Sequence, residues 1–382
     1  ISAPLSGSGE NADVLGVAPA ISEDGRTIYF VARGKLDTGA NQAGDTAMPG
    51  APNLYAWQQG EGVRFLATLS EEDEESWGIG AFGVPQVGSL SATGSPSGRY
   101  LTFASERSLT GEANLDAASQ PVQRIFRYDL IADRLDCISC NPTGAAPEGE
   151  VMDTGTRELI DPRSAWMGDL LAASLPQSSV LNAGTTATAY RSRIVHDSGR
   201  VFFNAVDSLV PADSNGEWDV YQYEPTGVGS CDSSSGDAAT VRSAGGCLSL
   251  ISSGTAEEPA AFFDASVGGD DVFFLTSARL SVLDEDEEAD VYDARVGGVA
   301  ATLRPNPECL GDNCQAPPGV PSDPTPGTAT FQGPGDPRSR AGKRCPKGKR
   351  KVRRKGRVRC VPRKNRKSQR NRRAGSDRRA AR

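Results

Sequence analysis

Four segments of the chain share one pattern of polar and apolar positions. Each begins with a short polar turn that contains glycine and continues into a run of β-branched and aromatic residues. The four runs end at Phe30, Phe103, Phe203 and Phe274. Because polar glycine turns break the chain direction and β-branched runs favour extended backbone, each segment predicts a turn that leads into a strand.

The pattern continues in register beyond each phenylalanine. Leucine follows six residues later in every segment, then a polar loop, a second strand with a central aromatic residue, and a further apolar run. The leucines are Leu36, Leu109, Leu209 and Leu280, the second strands span 53–57, 124–128, 219–223 and 290–293, and the further runs span 63–69, 134–139, 248–251 and 299–303. With an apolar run before each glycine turn, such as 17–21, every repeat predicts four short antiparallel strands.

A single four-stranded sheet cannot bury both of its faces, whereas sheets stacked radially around an axis cover one another and leave few free edges. We therefore predict an all-β chain in which residues 1–304 form a β-propeller of four-stranded antiparallel blades. The blades are expected around 17–69, 91–139, 190–252 and 260–304, with an insert at 141–189. Since propellers usually close with about 4–8 blades, a ring that is incomplete at its N-terminus stays open as an alternative.

The repeats resemble a known blade. The turn at 22–30, S-E-D-G-R-T-I-Y-F, and the strand at 219–223, D-V-Y-Q-Y, resemble the TolB-like or PD40 (WD40-like) repeat. The resemblance extends over about 17–304 and implies a propeller fold. The stretch 190–298 also resembles a recurrent module of uncharacterised exported bacterial proteins, which implies export and brings no known activity.

Charge divides the chain into an acidic body and a basic tail. The net charge is -8, but residues 337–382 contain 23 of the 41 Lys and Arg residues and one of the 49 acidic residues. Residues 305–342 are rich in Pro, Gly, Asp and Thr and predict a disordered linker. The basic tail then spans 343–382, with a small hairpin closed by Cys345 and Cys360. An alternative is that the tail folds onto the acidic body.

Dense Lys and Arg bind polyanions by releasing counterions, so we expect the tail to associate with anionic surfaces or polymers such as the cell envelope or nucleic acid. The tail has no aromatic residue on which a base could stack, so this association is expected to be non-specific. The expected binding residues are Lys347, Lys349, Arg350, Lys351, Arg353, Arg354, Lys355, Arg357 and Arg359. No run of apolar residues is long enough to predict a transmembrane helix, and we expect a monomer.

The eight cysteines fall into four close pairs, which are Cys137/Cys140, Cys231/Cys247, Cys309/Cys314 and Cys345/Cys360. Local pairs in even number predict disulfides and an extracellular or cell-envelope location. Zinc is an alternative, although only the first pair has C-x2-C spacing, and redox catalysis is a weaker one. The chain begins with Ile1 and carries no signal sequence, as expected of a processed form or a piece of a longer chain.

Two acidic loops precede second strands. The loop of the third repeat contains Asp213, Asn215 and Asp219 around Gly216, and that of the fourth spans 284–290. Oxygen ligands at alternating positions around a glycine turn suit Ca2+. A solvated turn whose Asp and Asn side chains bond their own backbone accounts for the same residues, and we favour it because the distal glutamate of an EF-hand is missing. The acidic run 71–75 is likewise expected to be a solvated loop.

Catalytic signals are few. The only histidine, His196, stands where the other three glycine turns have serine, so we expect a turn or surface position and no histidine-based catalysis. Neither a G-x-S-x-G elbow nor a P-loop occurs. We therefore predict a non-enzymatic exported β-propeller that acts as a binding or scaffold module and has no cofactor, with Ca2+ as the open alternative. Two alternatives stay open, namely a carboxylate-based glycan-acting enzyme with its site in the propeller channel, and a structural repeat without a specific ligand.

Overall fold

The structure is a computed structural model that describes residues 11–77, 92–152, 168–175, 192–231, 239–281, 283–298, 346–347, 349–354 and 357–362. The chain forms two compact units, Ile1–Glu308 and Cys309–Arg382. Within the described ranges the regular structure is antiparallel strand, apart from one short 3-10 helix at Glu72–Trp77. The all-β prediction is confirmed, and no helix in these ranges has the length and hydropathy to cross a membrane.

The first two sheets each contain four antiparallel strands in chain order. Sheet I consists of β1 (Val14–Ile21), β2 (Thr27–Ala32), β3 (Asn53–Gln58) and β4 (Gly62–Thr68). Sheet II consists of β5 (Thr93–Gly94), β6 (Tyr100–Ser105), β7 (Arg124–Asp129) and β8 (Arg134–Cys137). The short 3-10 helix follows β4 and packs against β1 and β6, so it lies at the joint between the two sheets.

The remaining strands of the first unit form a two-stranded, a five-stranded and a three-stranded sheet. The small sheet pairs β9 (Glu150–Val151) with β10 (Leu170–Leu171). Sheet III contains β11 (Ala173–Ser174), β12 (Val201–Ala205), β13 (Asp219–Pro225), β14 (Thr240–Ser243) and β15 (Gly246–Leu250). Sheet IV contains β16 (Ala260–Ala265), β17 (Asp271–Thr276) and β18 (Asp290–Arg295). The predicted run 299–303 lies outside the described residues.

Sheet III departs from the predicted four-strand repeat in two ways. Its order is β11-β12-β13-β15-β14, so β14 adds a fifth strand at the outer edge. Its inner strand is also divided, because Ala173 pairs with Ala205 at one end of β12 while Val195 bridges Val201 at the other. The two halves are separated in sequence by an insertion. Residues that the sequence assigned to an insert therefore supply part of a sheet.

The four phenylalanines that end the predicted runs occupy equivalent positions. Each faces an aromatic residue directly across the neighbouring strand, and the two rings stack. The pairs and their centroid distances are Phe30–Tyr55 at 5.6 Å, Phe103–Phe126 at 5.8 Å, Phe203–Tyr221 at 5.9 Å and Phe274–Tyr292 at 5.8 Å. We call the side of each sheet that carries this pair face B, and the opposite side face A.

The leucine of the repeat is held by the same ring pair. In three sheets the tyrosine hydroxyl of the pair accepts a hydrogen bond from the leucine backbone N–H. These bonds are Leu36 to Tyr55 at 3.2 Å, Leu209 to Tyr221 at 3.1 Å and Leu280 to Tyr292 at 3.2 Å. Sheet II has Phe126 at this position, which offers no hydroxyl. The loop after each first strand is thus fastened over face B by the residue types that recur in the sequence.

Face A of one sheet packs on face B of the next. Tyr29 and Val31 on face A of sheet I share an apolar core with Leu101 and Phe103 on face B of sheet II. A second core joins sheets II, III and IV, where Phe202 stacks on Phe262 with ring centroids 5.4 Å apart. Burying side chains of this size stabilises each joint by roughly 1.5–3 kcal/mol per residue.

The glycine turns that begin the repeats lie in a row along the stack. Consecutive turns are joined by hydrogen bonds from Tyr29 Oη to Gly98 O at 2.8 Å, from Ser97 Oγ to Asp197 Oδ1 at 2.6 Å and from Arg200 Nη1 to Gly269 O at 2.6 Å. Close approach requires glycine here, because a Cβ on Gly199, where φ is +85°, would lie 2.8 Å from Pro225 and 2.9 Å from Tyr100. Gly25 begins the row and has no atom within 4 Å of such a Cβ.

The second unit contains one described element. Strands β19 (Lys349–Arg354) and β20 (Arg357–Pro362) pair antiparallel as a two-stranded ribbon, with Arg354 opposite Arg357 at the turn end and Lys349 opposite Pro362 at the open end. The sequence predicted a hairpin in this part of the tail. The predicted linker 305–342 and the end of the tail at 363–382 lie outside the described residues.

Candidate functional site

Asp213 and Asn215 lie between β12 and β13, Asp219 begins β13, and all three are bonded to protein groups. Asp213 accepts a hydrogen bond from the Tyr221 hydroxyl, and Asp219 accepts from the Ser252 hydroxyl. Asn215 donates to Asp219 at 2.9 Å. Burial raises the pKa of Asp213, and the negative charge of Asp219 adds to this effect while the Tyr221 hydrogen bond opposes it. These contacts are typical of a hydrogen-bonded turn, and calcium binding here stays a prediction.

The corresponding loop of sheet IV gathers its carboxylates more closely. Asp284, Asp286 and Asp290 each place one oxygen within 4.8 Å of the others. Asp284 also accepts a hydrogen bond from the Tyr292 hydroxyl at 2.5 Å, which repeats the Asp213–Tyr221 contact. Since Ca2+ takes about 6–8 oxygen ligands, three carboxylates at an open loop supply at most part of a coordination shell.

A carboxylate-lined cleft of about 410 Å³ opens beside sheets II and III. Glu148, Glu150, Asp207 and Glu217 line it. Asp207 accepts a hydrogen bond from the Gly149 N–H at 2.8 Å, and burial raises the pKa of its carboxyl group. Glu150 accepts a hydrogen bond from the Trp218 indole. The cleft therefore offers acceptors to a cationic or a hydroxyl-rich ligand.

A buried carboxylate lies at the joint between sheets I and II, inside the acidic run that was expected to be a solvated loop. That expectation is wrong for Asp73, which is fully buried in the 3-10 helix. Its carboxylate accepts hydrogen bonds from Ser70 N at 2.9 Å, Ser105 Oγ at 2.5 Å and Glu106 N at 3.0 Å. Burial raises the pKa of Asp73 to about 6 in spite of these donors. Asp73 thus clamps the helix to the end of β6.

Glu106, next to this clamp, is also perturbed. Its pKa is raised to about 7, first by burial and then by the negative charges of Asp169, Asp73 and Glu72. Perturbed carboxyls mark catalytic sites in many proteins, but structural clamps perturb them as well. Sequence reasoning missed both residues, because a run of acidic residues does not reveal that Asp73 turns inward, and Glu106 lies outside that run.

The single histidine is a turn residue, and it is buried. His196 Nδ1 lies 3.1 Å from the Val267 carbonyl oxygen and Nε2 lies 3.1 Å from that of Arg193. Its ring also meets Phe202 edge-on at 5.5 Å. Burial lowers the pKa of His196, while the two carbonyl contacts act in the opposite direction. The expected surface alternative is therefore wrong, because sheet IV covers this turn.

Two of the four predicted cysteine pairs are disulfides in the described residues. Cys137–Cys140 and Cys231–Cys247 both have Cα atoms 5.5 Å apart. The first bond removes the C-x2-C pair from zinc ligation, because its sulfurs are bonded to each other. Cys360 in β20 is also disulfide-bonded. Cys309, Cys314 and Cys345 lie outside the described residues.

The basic ribbon is the most strongly charged described element. Seven of its twelve described positions in β19 and β20 are Lys or Arg, and none is acidic or aromatic. The pairing places positions 349, 351 and 353 on one face with 358, 360 and 362, and positions 350, 352 and 354 on the other with 357, 359 and 361. Basic residues therefore occur on both faces. Lys347, Lys349 and Arg359 are exposed, while Lys355 lies outside the described residues.

Compared with known proteins, the chain matches no protein-family model and none of the curated proteins. The geometry above is therefore the basis for a function.

Proposed function

We propose that the chain is a non-enzymatic exported β-propeller of the TolB-like type that acts as a binding or scaffold module, and that its basic tail associates with anionic surfaces or polymers. The observation that carries the proposal is the basic ribbon β19–β20. It holds seven cationic positions on paired strands, whereas the preceding 336 residues carry most of the acidic ones.

Three features support the propeller. The sheets have equivalent ring pairs on face B, each face A packs on the face B that follows, and the glycine turns lie in one row. A radial stack has these properties, because each blade must present the same two faces to its two neighbours.

Disulfides support export. They persist in oxidising compartments and are rare where thiols are kept reduced. The Cys231–Cys247 bond joins residues with a sequence separation of 16. A cross-link of this length stabilises the fold by roughly 3 kcal/mol, because it reduces the conformational entropy of the unfolded chain. An exported module with a basic tail would meet anionic envelope polymers and extracellular nucleic acid.

Ribbon geometry favours polyanions over small anions. Positions two apart on a strand lie about 7 Å apart, so basic positions recur along each face of the ribbon at a spacing that suits a linear polymer. Binding by counterion release then falls steeply with salt. Since neither strand carries an aromatic residue, bases find no stacking partner and sequence should have little effect on affinity.

The test is retention of the full chain on heparin and on double-stranded DNA. We expect salt-dependent retention that a chain ending at Gly342 loses. A matched pair of variants distinguishes the contribution of the ribbon from that of the net charge of the tail. One variant replaces the seven basic residues of the ribbon by Gln, and the control replaces Arg363, Lys364, Arg366, Lys367, Arg370, Arg372 and Arg373. The ribbon variant should elute at clearly lower salt than the control. Equal retention of the truncated and full chains would refute the proposal.

The cleft is the one observation that favours the glycan-acting alternative. Its four carboxylates include Asp207, whose pKa is raised by burial, and paired carboxylates with separated pKa values carry out glycoside hydrolysis. Screening the full chain against anionic and neutral glycans distinguishes the two. Turnover that Glu217→Gln abolishes without loss of fold would replace the binding proposal, whereas binding without turnover supports it.

A further inference from the structure

Within the part of the chain that the structure describes, the centre of face A is buried in three sheets and more exposed in the fourth. The central positions of face A in sheets I, II and III are all at most 9% exposed. They are Tyr29, Val31, Leu54, Ala56, Thr102, Ala104, Ile125, Arg127, Phe202, Asn204, Val220 and Gln222. The equivalent residues of sheet IV are Phe273, Leu275, Val291 and Asp293, of which the first two are half-exposed and the others exposed.

Three of these four positions in sheet IV are apolar, and the fourth is Asp293. Val291 is 56% exposed, and Phe263, which forms the bulge in β16, is 48% exposed. Soluble proteins rarely leave several large apolar side chains together on one surface without a partner for them. Face A of sheet IV is therefore an interaction surface.

The other end of the stack has the complementary opening. Phe30 and Tyr55 on face B of sheet I are covered by the loop after β2, but Ile28 and Trp57 on the same face are half-exposed. Ile21, which pairs with Ile28, is 53% exposed. The positions equivalent to Ile28 and Trp57 are buried in sheets II and III, where they are Leu101, Tyr128, Val201 and Tyr223. Among the described residues, sheet I thus has no sheet packed on face B as the next two sheets have.

The glycine turns also indicate that sheet I has room for a neighbouring sheet. Gly98, Gly199 and Gly269 each approach atoms of the preceding sheet, whereas Gly25 faces open space.

We propose that face A of sheet IV docks on face B of sheet I of a second copy of this chain. The joint repeats the contact that is already made three times within one chain, so Phe273, Leu275 and Val291 would cover Ile28 and Trp57. Such an interface is heterologous, with different surfaces on the two sides. Two copies joined at both ends present eight sheets, which lies within the range of about 4–8 blades in closed propellers. We therefore expect a closed pair in place of the monomer that the sequence predicted.

Sedimentation velocity of the full chain tests the proposal. It is run from micromolar to hundreds of micromolar protein in about 0.5 M salt, which screens attraction between the basic tail and the acidic body. We expect a dimer that dissociates on dilution. Val291→Glu and Ile21→Glu should each weaken association about tenfold or more, because each places an unpaired charge in the joint. Ile131→Glu is the matched control, since Ile131 is 75% exposed at the β7–β8 turn, away from both faces.

Mixing the two variants identifies the interface. Val291→Glu keeps an intact sheet I end and Ile21→Glu keeps an intact sheet IV end, so the mixture should regain dimers through the one intact joint. A surface that pairs with itself gives a different result, because Ile21→Glu would then have no effect. Circular dichroism verifies that each variant is folded, and the milder Val291→Ser replaces Val291→Glu if that variant unfolds. A wild-type chain that stays monomeric, or association that Ile21→Glu leaves unchanged, would overturn the proposal.

Discussion

Sheets III and IV carry almost the same local sequence pattern and differ in what covers them. In both, a glycine turn leads to Val-Phe-Phe, and the second phenylalanine stacks on the tyrosine across the strand. Phe202 on face A of sheet III is buried against Phe262 of sheet IV, whereas Phe273 at the same position of sheet IV is half-exposed.

The difference separates strand pairing, which the local sequence determines, from burial, which the neighbouring sheet determines. Alternation and turn chemistry are local, and they produce the same strand pairing in both sheets. Burial depends on the neighbour in the stack. Sheet IV also places Asp293 where sheet II has the buried Arg127, so its face A contains a charge that a joint must pair or leave in water. Variants at equivalent positions can therefore separate local strand formation from stacking.

The largest expected effect contrasts the two phenylalanines. Phe202→Ala removes a fully buried ring from the joint of sheets III and IV and should lower the free energy of unfolding by about 3–5 kcal/mol. Phe273→Ala removes a half-exposed ring and should lower it by about 1 kcal/mol in dilute protein. Urea unfolding of both variants measures the difference. Equal losses would mean that the sheets do not stack in this way.

The next contrast concerns charge on face A. Arg127 is buried, lies 3.2 Å from Asp136 and sits between the rings of Tyr100 and Tyr223 at 4.6 and 5.2 Å. Burial raises the pKa of Asp136, an effect that Arg134 and Arg127 offset. Arg127→Ala should therefore destabilise the fold by about 3 kcal/mol, because it leaves a buried carboxylate less well paired.

Asp293→Ala is the matched control at the equivalent exposed position of sheet IV, and it should change stability by less than about 0.5 kcal/mol. Because a raised folded-state pKa makes stability fall as pH rises above 3.8, Arg127→Ala should also steepen that fall. Urea unfolding at several pH values checks both statements. A mild Arg127→Ala variant would contradict the buried joint between sheets II and III.

Two turn glycines, one at the free end of the stack and one inside it, should show a smaller difference in stability. Gly25→Ala and Gly199→Ala both place a side chain at positive φ, which costs about 1–2 kcal/mol at either position. Only Gly199→Ala also crowds the neighbouring sheet, so it should be worse than Gly25→Ala by about 1–3 kcal/mol. Thermal unfolding of the two variants gives the difference directly. If Gly25→Ala proves equally harmful, the first turn is covered in solution.

The smallest effect is a pH dependence at the joint of sheets I and II. Because burial raises the folded-state pKa of Asp73 to about 6 from 3.8, the folded chain binds more protons than the unfolded chain between these values. Stability should therefore fall as pH rises through that window. Asp73→Asn should reduce the slope of stability against pH by up to one proton. Identical slopes for wild type and Asp73→Asn would show that Asp73 is not buried as described.

Much of the fold could be predicted from the sequence because its signals are local. The turn glycines, the phenylalanine at the end of each run and the leucine six residues later recur in register, and the structure places each set in equivalent positions. The divided inner strand of sheet III could not be predicted, because β11 is only two residues long and pairs with a strand far along the chain. Two residues carry no periodic signal.

The candidate site was less predictable. The sequence singled out Asp213, Asn215 and Asp219 by their spacing, but whether a carboxylate meets a cation or a neighbouring hydroxyl depends on tertiary contacts such as Tyr221 and Ser252. Asp73 was missed because its burial comes from packing of the 3-10 helix between two sheets. The basic ribbon could be predicted, because its charge density and its paired cysteines can be read directly from the sequence.

The most direct test of the stacked sheets is a cross-link between successive glycine turns. Ser97 and Asp197 are one hundred residues apart in sequence, yet the Ser97 hydroxyl lies 2.6 Å from the Asp197 carboxylate. A variant with Ser97→Cys and Asp197→Cys should form this disulfide spontaneously, as read by mass spectrometry of proteolytic peptides. Ser97→Cys with Ser266→Cys, two turns apart, is the control and should stay reduced. Absence of the first cross-link, or equal formation of both, would contradict the stack.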